Sequence, residues 1–238
     1  LFNFHNGNYH LSLKHAEVAI ASPVKSGTLD PMDKGRLIRL VACIALITSD
    51  IKQLDKCATD ILTIDNPDNL SVLDHAKSAI KSMQFLVQGE YNQAYELAKS
   101  TIAIEEASGR VGISSPFDCK FVLIRCLYEF SMVEEALNEM VKLGNEAKEC
   151  NLKFIAYLCN VGEIRILSRI PNSQDKISSK ILKLRNEGEV ITPEYFENYM
   201  KELNGKSGKS DAALWDLYSW TQLFRGSGSA TIRLPVRV

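Results

Sequence analysis

The chain has no C-x-x-C pair, no apolar run long enough to cross a bilayer, and almost no net charge, −1 over 238 residues. Each absence closes off a class of function. Without close pairing, Cys43, Cys57, Cys119, Cys126, Cys150 and Cys159 do not read as a zinc site or a redox motif. Most sit inside apolar helical runs, where buried, reduced thiols of a cytoplasmic protein are the simple expectation. The longest apolar stretch, Leu37 to Ile47, is interrupted by Arg39 and falls short of the ~20 residues a membrane helix needs. A balanced charge supplies no field that would select nucleic acid or an anionic membrane. No secretory signal is visible, and the absence of a leading Met is read as the mark of a fragment. What remains is an ordinary globular composition, 45% hydrophobic and 24% charged, which argues against disorder over most of the length.

Self-similarity is the strongest signal. Asn6-Gly7-Asn8-Tyr9, followed by Leu13, Ala16 and Ile20, is echoed by Gln88-Gly89-Glu90-Tyr91, followed by Tyr95, Ala98 and Ile102. Ser49-Asp50-Ile51 leads to Ala58 and Leu62, and Ser131-Met132-Val133 leads to Ala136 and Met140. The turns at Gly7, Ser49, Gly89 and Ser131 are 40 to 42 residues apart, with a weaker fifth at Asn172-Ser173. A small residue at each turn lets one helix end and the next begin. The apolar residue two positions on (Tyr9, Ile51, Tyr91, Val133) is expected to cover the junction, and Ala58 and Ala98 to admit a close helix approach. Ala94, Leu97, Ala98 and Ile102 keep the i, i+3, i+4 stripe of a half-buried helix.

Start signals agree with this grid. Asp30-Pro31, Ser115-Pro116 and Thr192-Pro193 each place a capping oxygen before a proline at the first helical position. The first helices of the pairs, called A, are predicted over Pro31–Thr48, Ser71–Val87, Pro116–Phe130 and Leu152–Ile170. The fold class expected is all-α, an α-α superhelix of about four to five helix pairs closed by a C-terminal capping helix.

The pattern of Gly7 and Tyr9 with Ala16, and of Gly89 and Tyr91 with Ala94 and Ala98, resembles the tetratricopeptide repeat. These copies are longer than its usual 34 residues. In that respect, and in the phrase Leu97 to Gly109, the chain resembles the helical sensor domain of the large ATP-dependent LuxR-type bacterial regulators. The likeness spans about residues 1 to 185 and lacks the repeat's usual Trp and Pro positions. It implies a scaffold that binds protein or ligand and carries over no site residues.

Candidate chemistry is thin. Gly205-Lys-Ser-Gly208-Lys-Ser210 suggests a phosphate loop, yet Met200 and Leu203 stand where its first glycine belongs, so a solvated linker explains it better. His5, His10 and His15 are spaced by five, about 140° apart on a helix, and cannot share one metal. His75 is alone. Glu105-Glu106 and Glu134-Glu135 read as solvated helix faces, the second pair in a first turn where it complements the helix dipole. Lys176, Lys180, Lys183 and Arg185 form a basic thickening, the first three at helical spacing, with no interleaved aromatics to suggest nucleic-acid contact. No catalytic residue, metal site or cofactor is expected.

The C-terminal part changes character. Residues 1–203 form the repeat domain and 204–210 a linker. Residues 211–225 form an apolar helix containing Trp215, Tyr218, Trp220 and Phe224, either a cap on the last repeat or a partner-binding helix. Residues 226–229, Gly-Ser-Gly-Ser, have the composition of a designed flexible linker. In 230–238, Ile232, Leu234, Val236 and Val238 alternate with Thr231, Arg233 and Arg237, and Pro235 confines the segment to an edge or a lone extended peptide. It reads as a tethered ligand, at an effective concentration of about a millimolar, or as a native tail or tag. Thr231 to Val236 resembles a string in bacterial primary-type sigma factors and the opening strand of ribbon-helix-helix proteins, which points to transcription machinery as partner. The expected function is a non-enzymatic adaptor holding a basic-aliphatic peptide (Ile232, Arg233, Leu234, Val236, Arg237) on its concave face. The alternative is a small-molecule sensor domain of a multidomain bacterial transcription activator.

Overall fold

A computed structural model describes residues 9–21, 30–48, 50–64, 71–107, 117–180 and 182. Within them lie α1 (Tyr9–Ala21), α2 (Pro31–Thr48), α3 (Ile51–Leu62), α4 (Ser71–Gln88), α5 (Tyr91–Ala107), α6 (Phe117–Glu129), α7 (Val133–Glu149) and α8 (Lys153–Leu167). A further helical stretch covers 174–180, and no strand occurs among the described residues. The protein is all-α, as the periodicity requires.

The turns repeat one piece of geometry. Gly89, Ser131 and Asn151 are left-handed, with φ of 79°, 63° and 55°. After each, the next amide reaches the carbonyl five residues back: Glu90 to Phe85 at 2.9 Å, Met132 to Leu127 at 2.9 Å, Leu152 to Ala147 at 2.7 Å. The left-handed residue's own amide bonds three back, to Leu86, Tyr128 and Lys148. This pair of bonds satisfies carbonyls that a helix end leaves open. The residue that closes one helix then caps the next, since the carbonyls of Glu90, Met132 and Leu152 accept from Ala94, Ala136 and Ala156, each at 3.0 Å. Two or three residues therefore suffice to reverse the chain, and neighbouring helices run antiparallel. At the first turn Asp50 makes the same bond to Ala45, at 2.8 Å, and its side chain caps Gln53 at 3.0 Å.

Gly89 and Ser131 thus sit where the repeat predicts, and Asn172, at φ 60°, marks the fifth turn. Gly7 and Ser49 lie outside the described residues. Asp30 accepts from the amide of Met32 at 3.1 Å, as expected of a cap before proline. One expectation changes: Ile51 is exposed, 49%, and does not cover its junction, whereas Tyr91 and Val133 are half-buried at theirs.

Each helix packs against its neighbours in sequence, and the A helices also touch across pairs, α2 with α4 and α4 with α6. These contacts are consistent with stacked helix pairs in which α2, α4 and α6 form one layer. Two apolar clusters fill it. One gathers α1 to α5 and one face of α6 (Cys119, Val122, Cys126) around Ile38, Val41, Leu54, Leu73, Ile80 and Met83. The other gathers α6 to α8 around Ile124, Tyr128, Met140, Leu143, Tyr157 and Ile166, and includes Leu40 and Ile44 of α2. α2 buries one face in each cluster. It approaches α4 closely: a Cβ on Gly35 would lie 2.4 Å from the fully buried Leu73 side chain.

Candidate functional site

The charged residue that interrupts the apolar run of α2 finds its partners far along the chain. Arg39 Nε donates to Asp118 Oδ2 at 2.6 Å and Nη2 donates to Asp118 Oδ1 at 2.7 Å. Its Nη1 donates to Glu105 Oε1 at 2.5 Å, with Nη2 at 3.4 Å from Glu105 Oε2. One planar guanidinium thus engages two carboxylates, one in two-pronged geometry. Asp118 is in the first turn of α6, and its Oδ1 also accepts from the Cys119 amide at 2.8 Å. Cys43, one turn beyond Arg39 on α2, points its thiol at Asp118 Oδ2, 3.6 Å away. His75, buried at the start of α4, brings Nδ1 to 4.0 Å from Glu105 Oε1. Side chains from α2, α4, α5 and α6 meet here.

Burial and pairing oppose each other at this point. Burial alone would lower the Arg39 pKa, but the Asp118 charge and the hydrogen bonds that Arg39 donates to both carboxylates outweigh it and hold the guanidinium well above its ordinary value. Burial alone would raise Asp118, and the facing Arg39 charge and bonds bring it below the usual carboxylate range. Burial, then the Asp118 charge, push the thiols of Cys43 and Cys119 well above 9.0, the ordinary value for a thiol. Both thiols are therefore protonated at neutral pH and poor nucleophiles. Charges and donors are mutually committed, an arrangement suited to fixing helices in place. Nearby, Lys120 of α6 joins Glu106 of α5 at 3.0 Å and Glu146 of α7 at 2.9 Å, a second, more exposed tie.

Glu105 corrects the reading of the Glu105-Glu106 pair as a solvated face: it is 7% exposed and bonded to Arg39, while Glu106 is exposed. Its partner comes from 66 residues away, beyond the reach of local pattern. A signal was nonetheless present, because a lone cation inside an apolar run must find a counter-charge when buried. Glu134 and Glu135 are exposed in the first turn of α7, as expected. Lys180 pairs with the buried Glu163 of α8 at 2.6 Å, so the basic thickening is partly engaged. Cys150 is exposed and Cys43 half-buried, against four fully buried thiols.

The tethered-ligand residues Ile232, Arg233, Leu234, Val236 and Arg237, and the helix residues Trp215, Tyr218, Trp220 and Phe224, lie outside the described residues, as do the boundaries drawn beyond 182. Among the described residues no group of His, Cys, Asp and Glu has the arrangement of a metal site. Among them, too, no helix is long and apolar enough to cross a membrane. The described residues define an all-α architecture whose helix packing is consistent with an α-α superhelix. No family model, no curated protein and no solved structure matches the chain.

Proposed function

We propose that the chain is a non-enzymatic, tetratricopeptide-like scaffold that binds an extended polypeptide, its arginines meeting carboxylates along the A-helix layer. The observation that carries this reading is a row of aspartates. Asp33, Asp74 and Asp118 stand in the first turns of α2, α4 and α6, three successive A helices. Asp33 and Asp74 are exposed. Asp118 already holds a guanidinium, that of Arg39, an intramolecular example of the contact. Packed helices are about 8–10 Å apart, and residues four apart on an extended strand span roughly 13 Å. Arg233 and Arg237 are thus spaced to reach neighbouring rungs. An adaptor with this layout needs no reactive group.

Binding of a free Ala230–Val238 peptide to the chain ending at Phe224, followed by fluorescence anisotropy, tests the proposal. Saturable binding that weakens about tenfold in the Asp33→Asn, Asp74→Asn double variant is expected. No binding at millimolar peptide, by a protein that still melts cooperatively, rejects it. A chain that ignores the peptide but is stabilised by a small apolar molecule would favour a sensor domain instead.

A further inference from the structure

Stacked-repeat proteins ordinarily couple only neighbouring units. Arg39 breaks that rule. It sits on α2, in the first complete pair, and bonds to Glu105 at the end of the second pair and Asp118 at the start of the third. The seam continues beside it: Cys43, one turn on, packs against both apolar clusters, and Leu40 and Ile44 of α2 belong to the cluster of α6 to α8. The rest of α2 packs against α1, α3 and α4. It comes close to α4 at Gly35, where a Cβ would meet the Leu73 side chain.

We infer that Arg39 is a latch that holds the first helix pair against the third, and that its release swings α2, with α1 and α3, away from α6 about the tight α2–α4 contact. The groups facing the latch are Cys43 from α2, His75 from α4, Glu105 from α5, and Asp118 and Cys119 from α6. Removing the guanidinium removes the one group that bonds to both Glu105 and Asp118, so the seam loses its tie between the pairs. The helices themselves need no change, since their turns and caps are local. Such a hinge sets the curvature of the A-helix layer. It stands apart from the peptide-binding reading, because its test involves no ligand.

Cys43 and Cys119 are built-in reporters of the seam, and Cys57 and Cys159, buried elsewhere, report general loosening. The full chain is alkylated with iodoacetamide under native conditions, and each site is followed by peptide mass spectrometry. In Arg39→Gln, labelling of Cys43 and Cys119 is expected to accelerate about tenfold or more, with Cys57 and Cys159 unchanged. Unchanged rates at Cys43 and Cys119 overturn the latch, and so does an equal rise at all four sites. Should Arg39→Gln not fold, Glu105→Gln keeps the two-pronged Asp118 contact and removes one arm. A rise of about threefold at the same two thiols is then expected, and no rise overturns the proposal.

Discussion

The two apolar clusters meet along α2 and are built on opposite principles. The α1–α5 cluster is rich in alanine: Ala16, Ala42, Ala45, Ala76, Ala79, Ala94 and Ala98 are all buried in it. Helices there come close enough that Gly35 leaves no room for a methyl group beside Leu73. Among the described residues, the α6–α8 cluster holds the two largest fully buried side chains, Tyr128 and Tyr157, and fewer alanines. It also has left-handed turns at both of its described connections, Ser131 and Asn151. One repeat length thus accommodates two ways of filling space. A small-residue seam is defined by what it excludes, and a large-residue seam by what occupies it.

That contrast sets the ranking of expected mutational effects. Truncation should hurt most in the second cluster: Tyr157→Ala is expected to cost about 3–5 kcal/mol by chemical denaturation, because a rigid, fully enclosed ring leaves a cavity. A cost under about 1 kcal/mol would mean that α8 is loosely packed. Enlargement should be the sensitive change in the first cluster. Ala79→Leu, in a position with no exposed surface, is expected to cost about 1–3 kcal/mol through overpacking. If it instead proves neutral, the small-residue seam is not the constraint.

Acid should loosen the junction between the clusters. The folded-state pKa of Asp118 is lowered by Arg39, below an unfolded value of about 3.9. The stabilisation is therefore fully present above that value and lost as pH falls through the folded one. Stability should decline below about pH 4, and the decline should be shallower in Arg39→Gln. Equal acid slopes in the two proteins would remove Asp118 from the account.

Turn substitutions should have the smallest effects and opposite signs. Gly89 has open space where a Cβ would stand, so Gly89→Val measures backbone strain alone, about 1–2 kcal/mol. Ser131→Gly removes similar strain but adds about 0.4–1 kcal/mol of unfolded-chain entropy, leaving a small gain in melting temperature. An unchanged melt for Gly89→Val would place the turn elsewhere.

Much of the local order was legible from residue spacing. Gly89, Ser131 and Asn172 were expected as turns, and all three are left-handed. The A helices begin and end within a few residues of their expected limits: α2 spans Pro31–Thr48 as read, and α8 stops at Leu167, short of Ile170. An A helix is expected from Leu152, but not the tight left-handed turn at Asn151 that precedes it. That turn joins a B helix to the next A helix, a junction that the other copies make through longer segments, so the period gave no cue. Ile51 was misjudged because its place in the grid says nothing about what stands over it.

Composition and period by themselves determined that this chain is helical, where it reverses, and that its helices pair, because capping bonds and apolar stripes are made by residues close in sequence. Only the tertiary structure decided that Arg39 would be held by Glu105 and Asp118, that one cluster would be small-grained and the other large, and that α2 would serve both. Those outcomes depend on groups brought together from 66 and 79 residues away, and no local rule chooses among the carboxylates a lone arginine could reach.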